Sequence, residues 1–119
     1  MDAFTRGYLE CALWSSNDES DESGGEPLDA NYSVEDFAPE ALAEAEKDCA
    51  DFQEANAADL ETTGADDERN GHDFWLTRNG HGAGFWDRGY GEVGERLTKA
   101  SKVYGGVDLY VGNDGMVHS

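Results

Sequence analysis

The sequence of 119 residues predicts an α+β fold, and three observations carry that expectation. Apolar residues recur at helical spacing near 2–14, 33–60 and 91–104. An aromatic, glycine-rich stretch at 72–88 has the turn chemistry of a β-hairpin, and Val107 to Val111 alternates as a terminal strand. Runs of helix followed by hairpin, without regular βαβ alternation, fit a small antiparallel sheet with helices packed against it. The expected order is two N-terminal helices, a β-hairpin, a third helix and a C-terminal strand or hairpin. The length suits a single domain, 1–119, with one core.

The first helix rests on Phe4, Tyr8, Leu9, Ala12 and Leu13, which fall on one face, with Gly7 as its weak point. Residues 17–30 (NDESDESGGEPLDA) hold six acids, two glycines and a proline around one large apolar residue, Leu28. Such a composition cannot cover a core, so a solvated acidic loop is expected there. Ser33 and Asp36 form a capping-box pattern, and Pro39 is placed to open a longer helix that runs to about residue 60.

On that second helix, Val34, Ala38, Ala41, Leu42, Ala45, Cys49, Phe52 and Asn56 share a face, while Asp36, Glu40, Glu44, Asp51 and Glu54 share another. Acids four apart lie roughly 6 Å apart along the axis. They repel by a few tenths of a kcal/mol per pair. Lys47 sits inside the stripe, close enough to Glu44 and Asp51 to relieve part of that cost. A plain solvated face is the alternative account.

A second acidic connector, Glu61 to Arg69, leads into the glycine-rich part of the chain. His72 to Arg78 (HDFWLTR) and Ala83 to Arg88 (AGFWDR) read as strands joined by Asn79, Gly80, His81 and Gly82. Val93, Leu97, Ala100, Val103 and Tyr104 make a third helix closed by Gly105 and Gly106. Asn113, Asp114 and Gly115 turn the chain, so Met116 to His118 can pair back on 107–111. The part 70–119 is thus expected to be a ββαβ unit.

Charge divides along the same line. Residues 1–69 hold 21 acidic and 3 basic side chains, a net −18, and residues 70–119 hold 6 and 5, a net −1. Segregated charge of this size points to a surface that meets something basic. It also opposes direct nucleic-acid binding, although Phe74, Trp75, Phe85 and Trp86 with Arg78 and Arg88 could otherwise stack single-stranded bases. A halophile's acids would be spread evenly, which the neutral second half contradicts.

Chemistry is sparse. Asn79 to Gly84 (NGHGAG) lacks the Lys and Ser/Thr of a phosphate loop. His72, His81 and His118 are not at metal-ligand spacing, and no nucleophile sits in an elbow or dyad pattern. Cys11 and Cys49 lie far apart among apolar residues, as reduced buried thiols do. The expectation is a protein that is not an enzyme and has neither cofactor nor metal. With no apolar leader or membrane span, it is expected in the cytoplasm.

The run GHDFWLTRNGHGAGFWDRGYGEVGERL at 71–97, VDLYVGNDG at 107–115 and the N-terminal GYLECALWSS with EPLDANYSVEDFAPEAL resemble small uncharacterised acidic accessory proteins of tailed bacteriophages. The resemblance implies an accessory product made in the bacterial host and brings no functional residues with it. A folded protein with carboxylates at nucleic-acid-like pitch can occupy a basic groove and exclude DNA or RNA, as anti-restriction and anti-CRISPR proteins do as a class. On that expectation Asp36, Glu40, Glu44, Asp51 and Glu54, with Asp18, Glu19, Asp21 and Glu22 of the acidic loop, meet the basic groove of a host nucleic-acid-binding protein. Trp75 and Trp86 are the aromatic contacts of the rival expectation, a structural or assembly module. A single-stranded nucleic-acid binder is the third.

Overall fold

The computed structural model of the chain describes residues 1–18, 25–81 and 84–119. The described residues form an α+β fold in which helix dominates: α1 (Ala3–Ser15), β1 (Asn17–Asp18), β2 (Glu26–Pro27), α2 (Pro39–Ala55), α3 (Ala57–Thr62), α4 (Asp67–Arg78), α5 (Glu92–Lys102), β3 (Tyr110–Val111) and β4 (Val117–His118). The strands make two separate antiparallel ribbons, with Asn17 opposite Pro27 in one and Val111 opposite Val117 in the other.

The expected first helix is α1. Asp2 caps it, its carboxylate accepting the Thr5 N–H at 2.8 Å, and Phe4, Tyr8, Leu9, Ala12 and Leu13 are all buried. The capping box of Ser33 and Asp36 is present ahead of α2, and Pro39 occupies its first turn. The helix expected to reach residue 60 instead breaks at Asn56. There the backbone leaves helical geometry, and the Asn56 side chain donates to the Phe52 carbonyl at 2.9 Å before α3 begins. The third expected helix is α5, with Gly105 at positive φ just beyond it.

The hairpin expected over 72–88 is not there. Residues 67–78 are α4, and Phe85–Asp87 is a single 3₁₀ turn, so the part 70–119 is not a ββαβ unit and its boundary falls inside a helix. Asp66 caps α4 by accepting the Arg69 N–H at 2.8 Å. Asn79 and Gly80, read as a hairpin turn, are its C-terminal cap: the His81 N–H donates to the Leu76 carbonyl at 2.9 Å and the Gly80 N–H to the Thr77 carbonyl at 3.1 Å, with Gly80 at φ +71°. That is a Schellman motif, which uses the same residue types as a tight turn. Gly82 and Ala83 lie outside the described residues.

α4 runs through the middle of the molecule, and α1 is its principal partner. The two helices cross at Gly7 and Gly71, where absence of side chains lets backbone meet backbone. A β-carbon on Gly7 would lie 2.8 Å from the Glu68 carbonyl carbon, and one on Gly71 2.8 Å from that of Phe4. Around this crossing an aromatic core forms. Phe52 of α2 stacks on Phe74 at 4.1 Å between centroids, Phe4 and Phe85 flank Phe52, and Tyr8 meets Trp75 edge-on at 5.3 Å.

The acidic loop expected at 17–30 is in part structured. Its described ends pair as β1 and β2, and Leu28 is fully buried in the core, which anchors the segment where composition alone predicted solvent. At the other end of the chain the expected C-terminal hairpin is present as β3 and β4. Val117 is fully buried, and its carbonyl accepts the Ala38 N–H at 2.8 Å, which ties this ribbon to the start of α2.

Cys11 and Cys49 are both buried and unpaired with each other, and burial pushes each thiol up to about 12. At pH 7 that leaves about one thiolate in 10⁵, so neither thiol is a useful nucleophile. Ellman's reagent is expected to leave both untouched in the folded protein and to titrate both in denaturant; fast reaction of either in the native state would contradict their placement.

Candidate functional site

The face of α2 that packs is built from Ala41, Ala45, Cys49 and Phe52, all buried. Three small residues in that row let the helix lie close to its neighbours. The face turned to water carries Glu40, Glu44, Asp51 and Glu54, all exposed. Glu40 and Glu54 make no hydrogen bond or ion pair among the described residues, and Glu44 has only the Ser119 hydroxyl at 3.5 Å. Lys47 donates to Asp51 at 3.0 Å, so the stripe is interrupted in its middle by a neutralised pair. That hydrogen bond raises the Lys47 pKa, and both side chains remain largely in solvent. Asp51 therefore presents less uncompensated charge than its neighbours.

Other expected contacts are placed differently. Asp36 precedes α2 and is spent on the capping box, its carboxylate accepting the Ser33 N–H at 2.8 Å, so it is a fold residue before it is a contact. Asp18 lies in β1, whereas Glu19, Asp21 and Glu22 fall outside the described residues. Trp75 is 2% exposed and its indole N–H donates to the Ser15 hydroxyl at 2.7 Å, so it belongs to the core and not to a contact surface. Trp86 is 55% exposed. The four aromatics weighed as a stacking platform do not form one, because Phe74, Trp75 and Phe85 are interior and only Trp86 faces water. Trp14, on the edge of the α1 apolar face, is also exposed and packs against His72 at 6.0 Å.

The charge division in the sequence is partly cancelled in space. Arg78 pairs with Asp48 at 2.9 Å and Arg96 with Asp59 at 2.8 Å, so cations of the near-neutral half neutralise acids of the other. The Arg96 fork is bidentate and holds the Asp59 carboxyl below its usual range. Arg88 makes a second bidentate pair with the fully buried Asp73. Asp66, Asp67 and Glu68 gather at the N-terminus of α4, where negative charge stabilises the helix by its dipole and cap. Those acids have a structural reason to be where they are. Glu40 also stands in the first turn of α2, where the dipole favours it, but Glu44 and Glu54 have no such reason.

Among the described residues no helix is long and apolar enough to cross a membrane, and no group of three or more His, Cys, Asp or Glu side chains is placed to hold a metal ion. Comparison with protein-family models, with curated proteins and with solved structures finds no match to this chain.

Proposed function

We propose that this protein binds a basic surface of a nucleic-acid-binding protein and competes there with the nucleic acid, with the solvent face of α2 as the presented surface. The reading is supported by one observation above others: within a chain of net charge −19, Glu40, Glu44 and Glu54 are held on one rigid helix face without neutralisation by the described residues. Glu40 and Glu44 lie roughly 6 Å apart along the axis and Glu54 roughly 15 Å beyond Glu44, and carboxylates held in such a row can occupy a groove whose affinity for phosphates is electrostatic. The phage resemblance supports a bacterial host protein, such as a defence nuclease, as the target and the host cytoplasm as the place of action.

Replacing Glu40, Glu44 and Glu54 together by Lys tests this. Exposed substitutions of this kind change stability by about 0.5 kcal/mol or less each, so the variant folds. Capture of a host protein at about 50 mM salt should fall steeply by about 500 mM, because screening shortens from over 10 Å to a few Å. The captured protein should bind labelled DNA only in the absence of the inhibitor, and the triple variant should lose at least about tenfold in competition. Capture that survives high salt and the triple substitution, but is lost with Trp86→Ala, would instead favour an assembly module acting through the exposed indole.

A further inference from the structure

His72 stands on α4 one residue past the crossing glycine Gly71, and its imidazole packs against the indole of Trp14 near the end of α1, with 6.0 Å between ring centres. The residue is partly buried, and its Nδ1 is closed to solvent with no hydrogen-bond partner among the described residues. A neutral imidazole can leave one nitrogen as a bare lone pair, whereas the charged ring carries N–H on both. Protonation in place would therefore bury a charged N–H without an acceptor, which costs more than an orphan lone pair.

The charged groups around the ring are of both signs. Arg69 of α4 and Arg88, just after the 3₁₀ turn, line one cleft with His72, Asp66 and Glu68. Asp73 is the next residue of α4, but its carboxylate is taken up by the Arg88 fork at 2.8 and 3.2 Å. From α1 the ring meets the uncharged Trp14 indole. Burial, helped by the Arg88 and Arg69 guanidiniums against the Asp73 and Glu68 carboxylates, holds the His72 pKa below its ordinary 6.5. The end of α1 has further ties: the Ser15 hydroxyl accepts the Trp75 indole N–H at 2.7 Å, and the Ser16 carbonyl accepts the Leu28 N–H at 2.9 Å. Trp14 itself is 58% exposed and rests on the imidazole.

We propose that His72 is an acid-sensitive latch: the neutral imidazole holds the Trp14 indole against α4, and protonation releases that indole to solvent while the rest of α1 stays in place. A released imidazole titrates at its ordinary value and the held one lower, so the hold is complete above 6.5 and weakens as pH falls through it. Swinging out of the contact gives both nitrogens of the charged ring water to bond. The Trp75 and Leu28 hydrogen bonds do not depend on that ring, so they keep the backbone at the end of α1 fixed. The latch uses no residue of the α2 stripe and stands or falls separately from that surface.

The test is an NMR titration of the full chain from about pH 8 to about pH 5, above the range of ordinary carboxylates. The His72 ring C–H shifts report protonation, and the indole N–H shifts of the three tryptophans report their surroundings. The His72 and Trp14 signals should move together with one midpoint below 6.5, while the Trp75 indole, bonded to Ser15, stays where it is. His72→Phe keeps a ring beside Trp14 without a titrating group, and the Trp14 signal should then stop responding. Trp14→Ala removes an exposed side chain and uncovers the imidazole, so by the same linkage the His72 midpoint should rise toward 6.5. A parent His72 midpoint at or above 6.5, or a Trp14 signal unmoved at about pH 5, would overturn the proposal. So would a Trp14 response that survives His72→Phe, an unchanged midpoint in Trp14→Ala, or movement of all three indoles together.

Discussion

Gly71→Ala is expected to destabilise the fold by about 3 kcal/mol or more, read as a lowered urea midpoint with an unchanged slope. Two effects oppose each other. In isolation alanine favours a helix over glycine by about 1 kcal/mol, and α4 would gain that. Against it, the added methyl would lie deep inside contact distance of the Phe4 carbonyl and 3.0 Å from the Tyr8 amide nitrogen, and both are backbone atoms of α1 that no rotamer change can move. The helices must part, and their shared interface with the aromatic core behind it parts with them. On a total of about 0.05–0.15 kcal/mol per residue the loss is about a sixth to a half of the stability of the chain. Gly7→Ala acts at the same crossing against the Glu68 carbonyl. The double variant should therefore cost less than the two single costs together, because separation forced by one methyl makes room for the other. A midpoint for Gly71→Ala at or above the parent's would show that the close approach is not required.

The same glycine explains why α4 was not legible in the sequence. The positions of α4 that face the core include Asn70, Gly71, Asp73, Thr77 and Arg78, so the apolar period that reveals α1 and α5 is absent, and a helix covered on most sides has no polar stripe to mark it. What remained visible was Phe74, Trp75 and Leu76 in succession before Asn79 and Gly80, a composition shared by strands and turns. By contrast, α1, the start of α2, α5 and the C-terminal ribbon declare themselves through local chemistry: spaced apolar residues, a capping box, a glycine stop, an Asn-Asp-Gly turn. The exposed face of α2 was legible for the same reason. The separation of Glu40, Glu44 and Glu54 from acids already engaged was not, since Asp48 and Asp59 meet their arginines only through the tertiary fold. Nor was the break at Asn56 that separates α2 from α3.

Arg78→Met should cost about 3–5 kcal/mol, the range for removing one partner from a buried ion pair. The Arg78 side chain is nearly inaccessible, and its guanidinium donates to the Asp48 carboxylate at 2.9 Å, the Tyr8 hydroxyl at 3.0 Å and the Tyr104 and Gly105 carbonyls at 2.9 and 2.8 Å. It also lies 5.6 Å from the ring centres of both Phe74 and Tyr104. One side chain thus satisfies acceptors from α1, from α2 and from the end of α5, none of which has another route to the same donors. Methionine fills much of the volume but takes the donor from all four, and leaves the Tyr8 hydroxyl without it in the interior. Arg78→Lys should recover less than half of the loss, because an ammonium cannot fork toward acceptors on different sides. Asp48→Asn should cost only about 1 kcal/mol, as Asp48 keeps part of its side chain in water and a carboxamide still accepts. Combining Arg78→Met with Asp48→Ala should cost less than the sum of the single losses, since the orphaned carboxylate leaves with its partner. If instead the losses add, Asp48 and Arg78 act independently and the bond between them does not hold α2 in place. The distinction reaches the acidic surface, because the pair ties α2, which carries the stripe, to α4. On the proposed function, loosening it should blunt competition with nucleic acid even under conditions where the protein is fully folded, while leaving every carboxylate of the stripe in the sequence.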